Sequence, residues 1–158
     1  PGPTGESNTL YLEPSGCAVC YADKDTSVNF WVISIITALA AGNTVLTVVS
    51  DLFYKEALAF REKLLSTGVA EGIFQVAKLS QLTGILAHPH LAGAVIGSGC
   101  EHKSFVNHHL AARSGAILPV ISSEYYDTLI SRLLTEKTVS IDTTASGGNT
   151  SLMTLSED

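Results

Sequence analysis

Charge is what this sequence has least of. Only 15% of its residues are charged, against about 25% in an average globular domain. With 46% hydrophobic residues, the chain has too few charges to coat its own surface, so another domain or another copy is expected to cover part of it. Positive charge is the scarcer sign. Nine Lys and Arg against fifteen Asp and Glu leave a formal net charge of −6, and no basic run occurs. Both facts argue against a nucleic-acid-binding domain. Cysteine is sparse too: three residues, an odd number, do not make a disulfide framework, and a cytoplasmic protein is expected. The apolar stretch lies too far in, and lacks the basic leader, for a signal peptide. There is no internal repeat. The chain opens Pro1-Gly2-Pro3 and its single methionine is Met153, which fits a segment of a longer protein. Its 158 residues suit one domain.

Residues 28–50, VNFWVISIITALAAGNTVLTVVS, carry no charge at all. Trp31, Ile35 and Leu39, and likewise Val28, Val32 and Ile36, stand at helical spacings. Both sets are apolar, so the helix is expected to be buried nearly all round. Gly42 and Asn43 end it, since both tolerate the left-handed conformation that closes a helix. Residues 44–49, rich in Val and Thr, read as a strand buried on both faces. The helical part, about 14 residues or roughly 21 Å, is too short for a bilayer core of about 30 Å, and no transmembrane segment is expected.

Around this centre the pattern alternates. Residues 9–12 and 17–21 read as strands, paired as a hairpin across the Pro14-Ser15-Gly16 turn. Asp23, Lys24 and Asp25 form a polar loop, with Thr26 or Ser27 capping the central helix. Beyond the central strand come a helix over 51–67 with Phe53, Ala57, Phe60 and Leu64 inward and Gly68 as its stop, a strand at 73–77, and a helix from Ser80 to near His88. A strand at 92–96, a helix over 103–113, a strand at 116–121 near an edge because of Pro119, and a helix to about Leu134 follow. The order predicts an α/β fold: a Rossmann-like, mostly parallel sheet with helices on both faces. A C-terminal β-flap strand, with Val139 and Ile141 on one face, and an extended tail complete it. The expected division is 1–137 as the Rossmann-like domain and 138–158 as flap and tail. A lone terminal strand needs a partner edge, expected from outside this domain.

Few residues carry chemistry. Cys17 and Cys20 have the spacing of a zinc knuckle, but there is no second pair, and positions three apart on a strand face opposite ways; two buried thiols are expected. His88, His90, His102, His108 and His109 lack metal-binding spacing, so no metal site is expected. Gly97, Ser98, Gly99 and Cys100 lie where a strand gives way to a helix, the place where open α/β folds bind ligands. They match neither a dinucleotide fingerprint nor a P-loop. Two alternatives stay open there: a nucleotide site on the 97–99 loop, and a thiol enzyme using Cys100 and His102.

Several stretches resemble the aldehyde dehydrogenase superfamily: ALAAGNTVL (38–46), STGVAEGIFQVAK (66–78), HPHLAGAVIGSG (88–99) and LAARSGAILPVIS (110–122). The opening PGPTGESNTLYLEPSG (1–16) and the ending VSIDTTASGGNTSLMTL (139–155) are similar to the C-terminal domain of the proline utilization A family. In active aldehyde dehydrogenases a Lys-Pro pair on the strand after GNTVL holds the cofactor ribose; here Val48 and Val49 stand there. The Pro-Trp-Asn-Phe-Pro loop is replaced by the polar 23–29 region and Phe30. The catalytic domain with its nucleophilic Cys is missing. The resemblance therefore implies a non-catalytic domain with no cofactor of its own and a vestigial pocket near Val48, Val49, Gly97, Ser98 and Gly99. FAD and NAD would belong to the parent, a bifunctional enzyme oxidising proline to glutamate through pyrroline-5-carboxylate. The domain would cover the aldehyde dehydrogenase part of the same chain and help close the tunnel between the two active sites. Contacts to that part, or to a second copy through the flap, would be made by Val139, Ile141, Asn149, Ser151, Leu152 and Met153. The parent would be cytoplasmic, with peripheral attachment to the inner membrane also compatible.

Overall fold

The computed structural model describes residues 6–142, apart from the side chains of Tyr126 and Asp142. Of the expected contact residues, Asn149, Ser151, Leu152 and Met153 lie outside the described residues. Two compact units arise: Pro14–Leu134, and the end segments Pro1–Glu13 with Thr135–Asp158.

In the larger unit, alternation along Cys17–Ala22 sets the layers. Ala18, Cys20 and Ala22 face one core, while Cys17, Val19 and Tyr21 face the other. Numbering strands from the terminal Glu6–Pro14 (β1), this central strand is β2. After it come α1 (Val28–Ala40), β3 (Thr44–Val49), α2 (Asp51–Ser66), β4 (Phe74–Lys78) and α3 (Leu82–Leu86). Then follow β5 (Leu91–Ile96), α4 (Lys103–Ala111), β6 (Val120–Ser122), α5 (Leu129–Arg132) and β7 (Leu134–Asp142). Five strands form one parallel sheet in the order β4-β3-β2-β5-β6. The chain steps outward from β2 to β4, then returns to the other edge of β2 for β5. Because a crossover between parallel strands keeps one hand, this reversal puts the later helices on the opposite face. α1, α2 and α5 pack with Ala18, Cys20 and Val45, whereas α3 and α4 pack with Val19, Tyr21 and Ile96.

The small residues of β2 make room for Trp31 of α1, which stacks edge-on against Phe53 of α2 at 5.3 Å between ring centres. Its indole N–H donates to Thr47 Oγ1 at 2.8 Å, and that hydroxyl donates to the Cys20 carbonyl at 2.9 Å. A buried Trp nitrogen and a buried Thr hydroxyl are thus both satisfied.

Several expectations change. β1 makes no hairpin with β2, because both edges of β2 are taken by β3 and β5; β1 pairs instead with β7 in a separate two-stranded sheet. The terminal strand therefore finds its edge within the chain. α1 is buried on one side only, through Phe30, Trp31, Ser34, Ile35 and Ala38; Val28 and Ile36 are exposed. The helix from Ser80 is a 3₁₀ turn plus five residues, and the stretch from Ser123 is a kinked 3₁₀ segment leading into α5. The strand at 116–121 shrinks to the edge strand Val120–Ser122 after Pro119, whose carbonyl accepts from Ala94 N. No helix among the described residues is long and apolar enough to cross a membrane.

The end of α1 shows how the layers are tied. Gly42 takes the left-handed conformation at φ +83°; Asn43 does not, and works through its side chain. Its Oδ1 accepts from Gly16 N at 2.9 Å, and its Nδ2 donates to Leu133 O at 2.9 Å and Ala38 O at 3.3 Å. One buried amide joins the start of β2, the end of α1 and the residue after α5. Replacing Asn43 by Ala leaves Gly16 N–H without its acceptor, at about 1–3 kcal/mol where no water reaches it, while Ala38 O and Leu133 O keep the bonds donated by Asn43 N and Ser15 N. We expect Asn43→Ala to lower stability by about 1–3 kcal/mol, read as a fall in the urea midpoint with an unchanged slope.

Candidate functional site

The carboxyl ends of β2 and β5 meet where the sheet order reverses, the crevice at which open α/β folds hold ligands. Residues from both ends converge there. β2 delivers Tyr21 and then Asp23; β5 delivers Gly97, Ser98, Gly99 and Cys100, with His102 at the start of α4. Asp23 and Cys100 are 3% and 6% exposed.

A local turn aims Asp23. Its N–H donates to Thr26 Oγ1 at 3.0 Å, and Thr26 Oγ1 and Asp25 N donate to Asp23 Oδ1 at 3.1 and 3.0 Å. With Oδ1 occupied, Oδ2 turns to the crevice. There it accepts from the Cys100 thiol at 2.9 Å and the Tyr21 hydroxyl at 3.2 Å. His102 Nδ1 lies 3.8 Å from the same oxygen and 2.8 Å from the Tyr21 hydroxyl.

This network sets protonation. Burial alone would push the Asp23 carboxyl up, but hydrogen bonds from Cys100, Asp25 N, Thr26 and Tyr21 outweigh it and hold the group below its ordinary value. The Cys100 thiol is pushed up to about 12, first by burial and then by its bond to Asp23. Burial, with Cys100 and Asp23 beside it, likewise raises Tyr21. Cys100 is therefore a protonated hydrogen-bond donor at neutral pH, not an activated nucleophile.

The other expected site residues are placed as follows. Val48 and Val49 are fully buried at the end of β3, one in each core, and offer a nucleotide no polar side-chain atom. In the 97–99 loop, Ser98 N donates to Ser123 Oγ at 3.0 Å, and Cys100 N donates to Gly97 O at 3.2 Å. Two of the N–H groups that a phosphate would need are thus engaged, and α4 begins only at Lys103. Cys17 and Cys20 lie on opposite faces of the sheet. Burial, with Cys17 adding to it, pushes the Cys20 thiol up. Cys17, His88 and His90 line a separate cavity of about 590 Å³ with Leu46, Ile85 and Leu91. His109 Nδ1 lies 2.9 Å from Phe105 O on α4 itself. Val139 and Ile141 of β7 are exposed. Asp23 was expected only as part of a polar loop; its role comes from a partner 77 residues away.

Two measurements follow. In the folded chain at pH 8, alkylation should mark the half-buried Cys17 first, with Cys20 and Cys100 reacting only after unfolding; early labelling of Cys100 would contradict the buried thiol. The depressed Asp23 group adds stability that is full above its ordinary value of 3.8 and is lost as pH falls through the lower folded value. Chemical denaturation between pH 6 and pH 2 should show this loss, and Asp23→Asn should flatten that part of the profile.

No family model matches the chain. It is 35% identical over 159 residues to the bifunctional protein PutA of Escherichia coli K12, which covers 98% of this chain and 11% of that protein. The chain thus spans about a tenth of the length of the curated relatives it matches. Its fold aligns with the crystal structure of Bradyrhizobium japonicum proline utilization A, the D779W mutant, at a TM-score of 0.63 and 27% identity, covering 77% of this chain and 13% of that one. It also aligns with an NAD-dependent benzaldehyde dehydrogenase from Corynebacterium glutamicum at a TM-score of 0.67 and 16% identity, covering 78% of this chain and 28% of that one; that likeness concerns the fold. The chain is thus a homologue of a segment of the proline utilization A proteins, built on the Rossmann-like fold of the aldehyde dehydrogenases.

Proposed function

We propose that the chain is a non-catalytic structural domain of a bifunctional proline-catabolism enzyme. In such a parent, proline is oxidised with FAD, the resulting pyrroline-5-carboxylate hydrolyses to glutamate semialdehyde, and NAD-dependent oxidation gives glutamate. This domain covers the aldehyde dehydrogenase part of the same chain and helps close the tunnel that carries the intermediate. FAD and NAD are held elsewhere in the parent, which works in the cytoplasm. Residues 1–137 act as the cover, and 138–158 as flap and tail.

The observation that carries this reading is the pair Val48 and Val49, fully buried hydrocarbon where a cofactor-binding enzyme of this fold would place a lysine. Loss of that side chain removes a charge and hydrogen bonds to the ribose. The protonated, buried Cys100 argues in the same direction against a thiol enzyme. Exposed apolar side chains support a covering role: Leu10 and Leu12 on one face of β1, Tyr11 on the other, and Val139 and Ile141 on β7. Such groups gain about 25 cal/mol per Å² when a partner removes them from water. A second copy meeting the flap is the oligomeric form of the same contact. The alternative is a free-standing nucleotide-binding domain using the 97–99 loop.

Calorimetric titration of the chain with NAD separates the two. The structural reading expects no binding tighter than about 100 μM, or about 5.5 kcal/mol; a tighter constant favours the alternative. The covering role is tested in the parent enzyme by deleting the chain from Thr143 onward. NADH production from proline should then show a lag or released intermediate, while the proline dehydrogenase step alone is unchanged. Identical coupled time courses for intact and truncated enzymes would reject a sealing role for the tail.

A further inference from the structure

We propose that Asp23, Cys100 and His102 form a binding site for a zinc-class divalent cation, closing the crevice between the ends of β2 and β5. One ligand atom from each residue, a carboxylate oxygen, a thiol sulfur and an imidazole nitrogen, lies within 4.8 Å of the others. The carboxylate and thiol are almost wholly buried and the imidazole partly so. This differs from an exposed acidic cluster in chemistry as well as burial. A thiolate and an imidazole select the borderline and soft metals, zinc above all, over magnesium or calcium. The sequence spacing hides the site, because its halves come from opposite sides of the topological switch.

Asp23 is a buried anion held by hydrogen bonds to both of its oxygens. Its carboxylate is enclosed, yet among the described residues no Lys or Arg pairs with it. Lys24 extends to Glu101 at 3.3 Å, and the one ion-pair partner within 4 Å is His102. Those hydrogen bonds already offset the cost of burial, and a positive charge beside the oxygen would stabilise the anion further. A divalent ion between Oδ2 and Sγ would supply that charge. Together with one carboxylate and one thiolate, it makes a neutral centre.

The geometry needs small changes. A tetrahedral zinc with ligand bonds of about 2.0–2.3 Å holds its donor atoms roughly 3.3–3.7 Å apart. Sγ and Oδ2 stand at 2.9 Å, and Nδ1 and Oδ2 at 3.8 Å. The first pair must open by roughly 0.4–0.8 Å and the second close by roughly 0.1–0.5 Å, and Sγ and Nδ1, within 4.8 Å of each other, must draw together by rotation of the His102 side chain. His102 is part-exposed and at the boundary of α4 rather than inside it, and on binding it exchanges its 2.8 Å contact with the Tyr21 hydroxyl for the ion. On binding, the Cys100 S–H bond breaks, its proton leaves to solvent, and its electron pair forms the metal–sulfur bond. His102 binds through Nδ1 as the tautomer protonated at Nε2. Tyr21 keeps donating to Asp23 Oδ2 and so orients that ligand from behind. The fourth position would take water or the Glu101 carboxylate, whose Oε1 lies 3.7 Å from His102 Nδ1. The ion would pin the 23–26 turn to the 97–100 loop whether or not the domain serves in a proline-oxidising parent.

Titration of the metal-free chain with Co²⁺ alone tests the site. Expected are one equivalent bound with the intense visible bands of tetrahedral cobalt and a thiolate-to-cobalt charge-transfer band, displaced by Zn²⁺, with one proton released per ion. His102→Ala should weaken binding at least tenfold, Cys100→Ser should abolish the charge-transfer band, and His109→Ala should change neither. A weak octahedral spectrum, a charge-transfer band that survives Cys100→Ser, or wild-type affinity in His102→Ala would overturn the proposal. If Cys100→Ser does not fold, His102→Ala decides alone, since that part-exposed side chain can be removed without opening either core.

Discussion

Everything in the larger unit depends on β2 having neither a free edge nor a free face. β3 and β5 hold its two edges in parallel register, and helices cover its two faces. A strand so placed must be apolar at successive positions, and Ala18, Val19, Cys20, Tyr21 and Ala22 are all buried. The alternation of small with large residues then decides which helices go where. Ala18, Cys20 and Ala22 pack with Trp31 and Phe30, while Val19 and Tyr21 pack with residues of α3 and α4. Because β2 has no free edge, β1 cannot continue the sheet and pairs with β7.

The same placement creates the polar cluster. The end of a central strand at a switch point opens toward a crevice that helices do not cap. Tyr21 and Asp23 therefore project toward the loop that follows β5. The polar atoms there satisfy one another: the turn uses Oδ1, and the crevice groups use Oδ2. At the amino end of β2 a single side chain, Asn43, does comparable work with both halves of its amide. Thus both ends of the strand are held by buried hydrogen bonds whose partners lie far away in sequence.

That long range explains what the sequence disclosed and what it concealed. The uncharged 28–50 run announced a helix and strand at the centre, and the alternation of elements announced a parallel sheet. Both follow from local periodicity. Strand partners do not. Residues 9–12 have a strand pattern that fits a hairpin with β2 equally well until β5 claims the same edge. Val28 and Ile36 are as apolar as Trp31 and Ile35, so composition alone could not show that they face away from the sheet. The stretch after Ser122 loses regular helix at Tyr125, whose φ of −105° and ψ of 30° break the pattern, and its Ser, Asp and Thr residues are weak helix formers. At the candidate site, Cys100 and His102 were visible as a pair. Asp23 was not, although an Asp followed three residues later by Thr after a strand is a local turn signature that marks a carboxylate held in place.

The shortage of charge is not spread evenly over the surface. α2 is ordinary: its water-facing side carries Lys55, Glu56, Glu62 and Lys63. α1 has no charged residue, and its outward side presents Val28, Asn29, Ile36 and Ala40. Stability of the larger unit does not require this, since α1 already buries a continuous stripe through Phe30, Trp31, Ser34, Ile35 and Ala38. A helix anchored by one face is free to carry lysine or glutamate on the other at little cost, so an outward side without charge asks for a separate cause. Contact with another protein surface is such a cause. Apolar side chains on that side gain about 25 cal/mol for each Å² removed from water, whereas a lysine there would lose hydration. The proposed covering role thus accounts for two facts with one contact: a charge content below the norm, and its concentration away from α1.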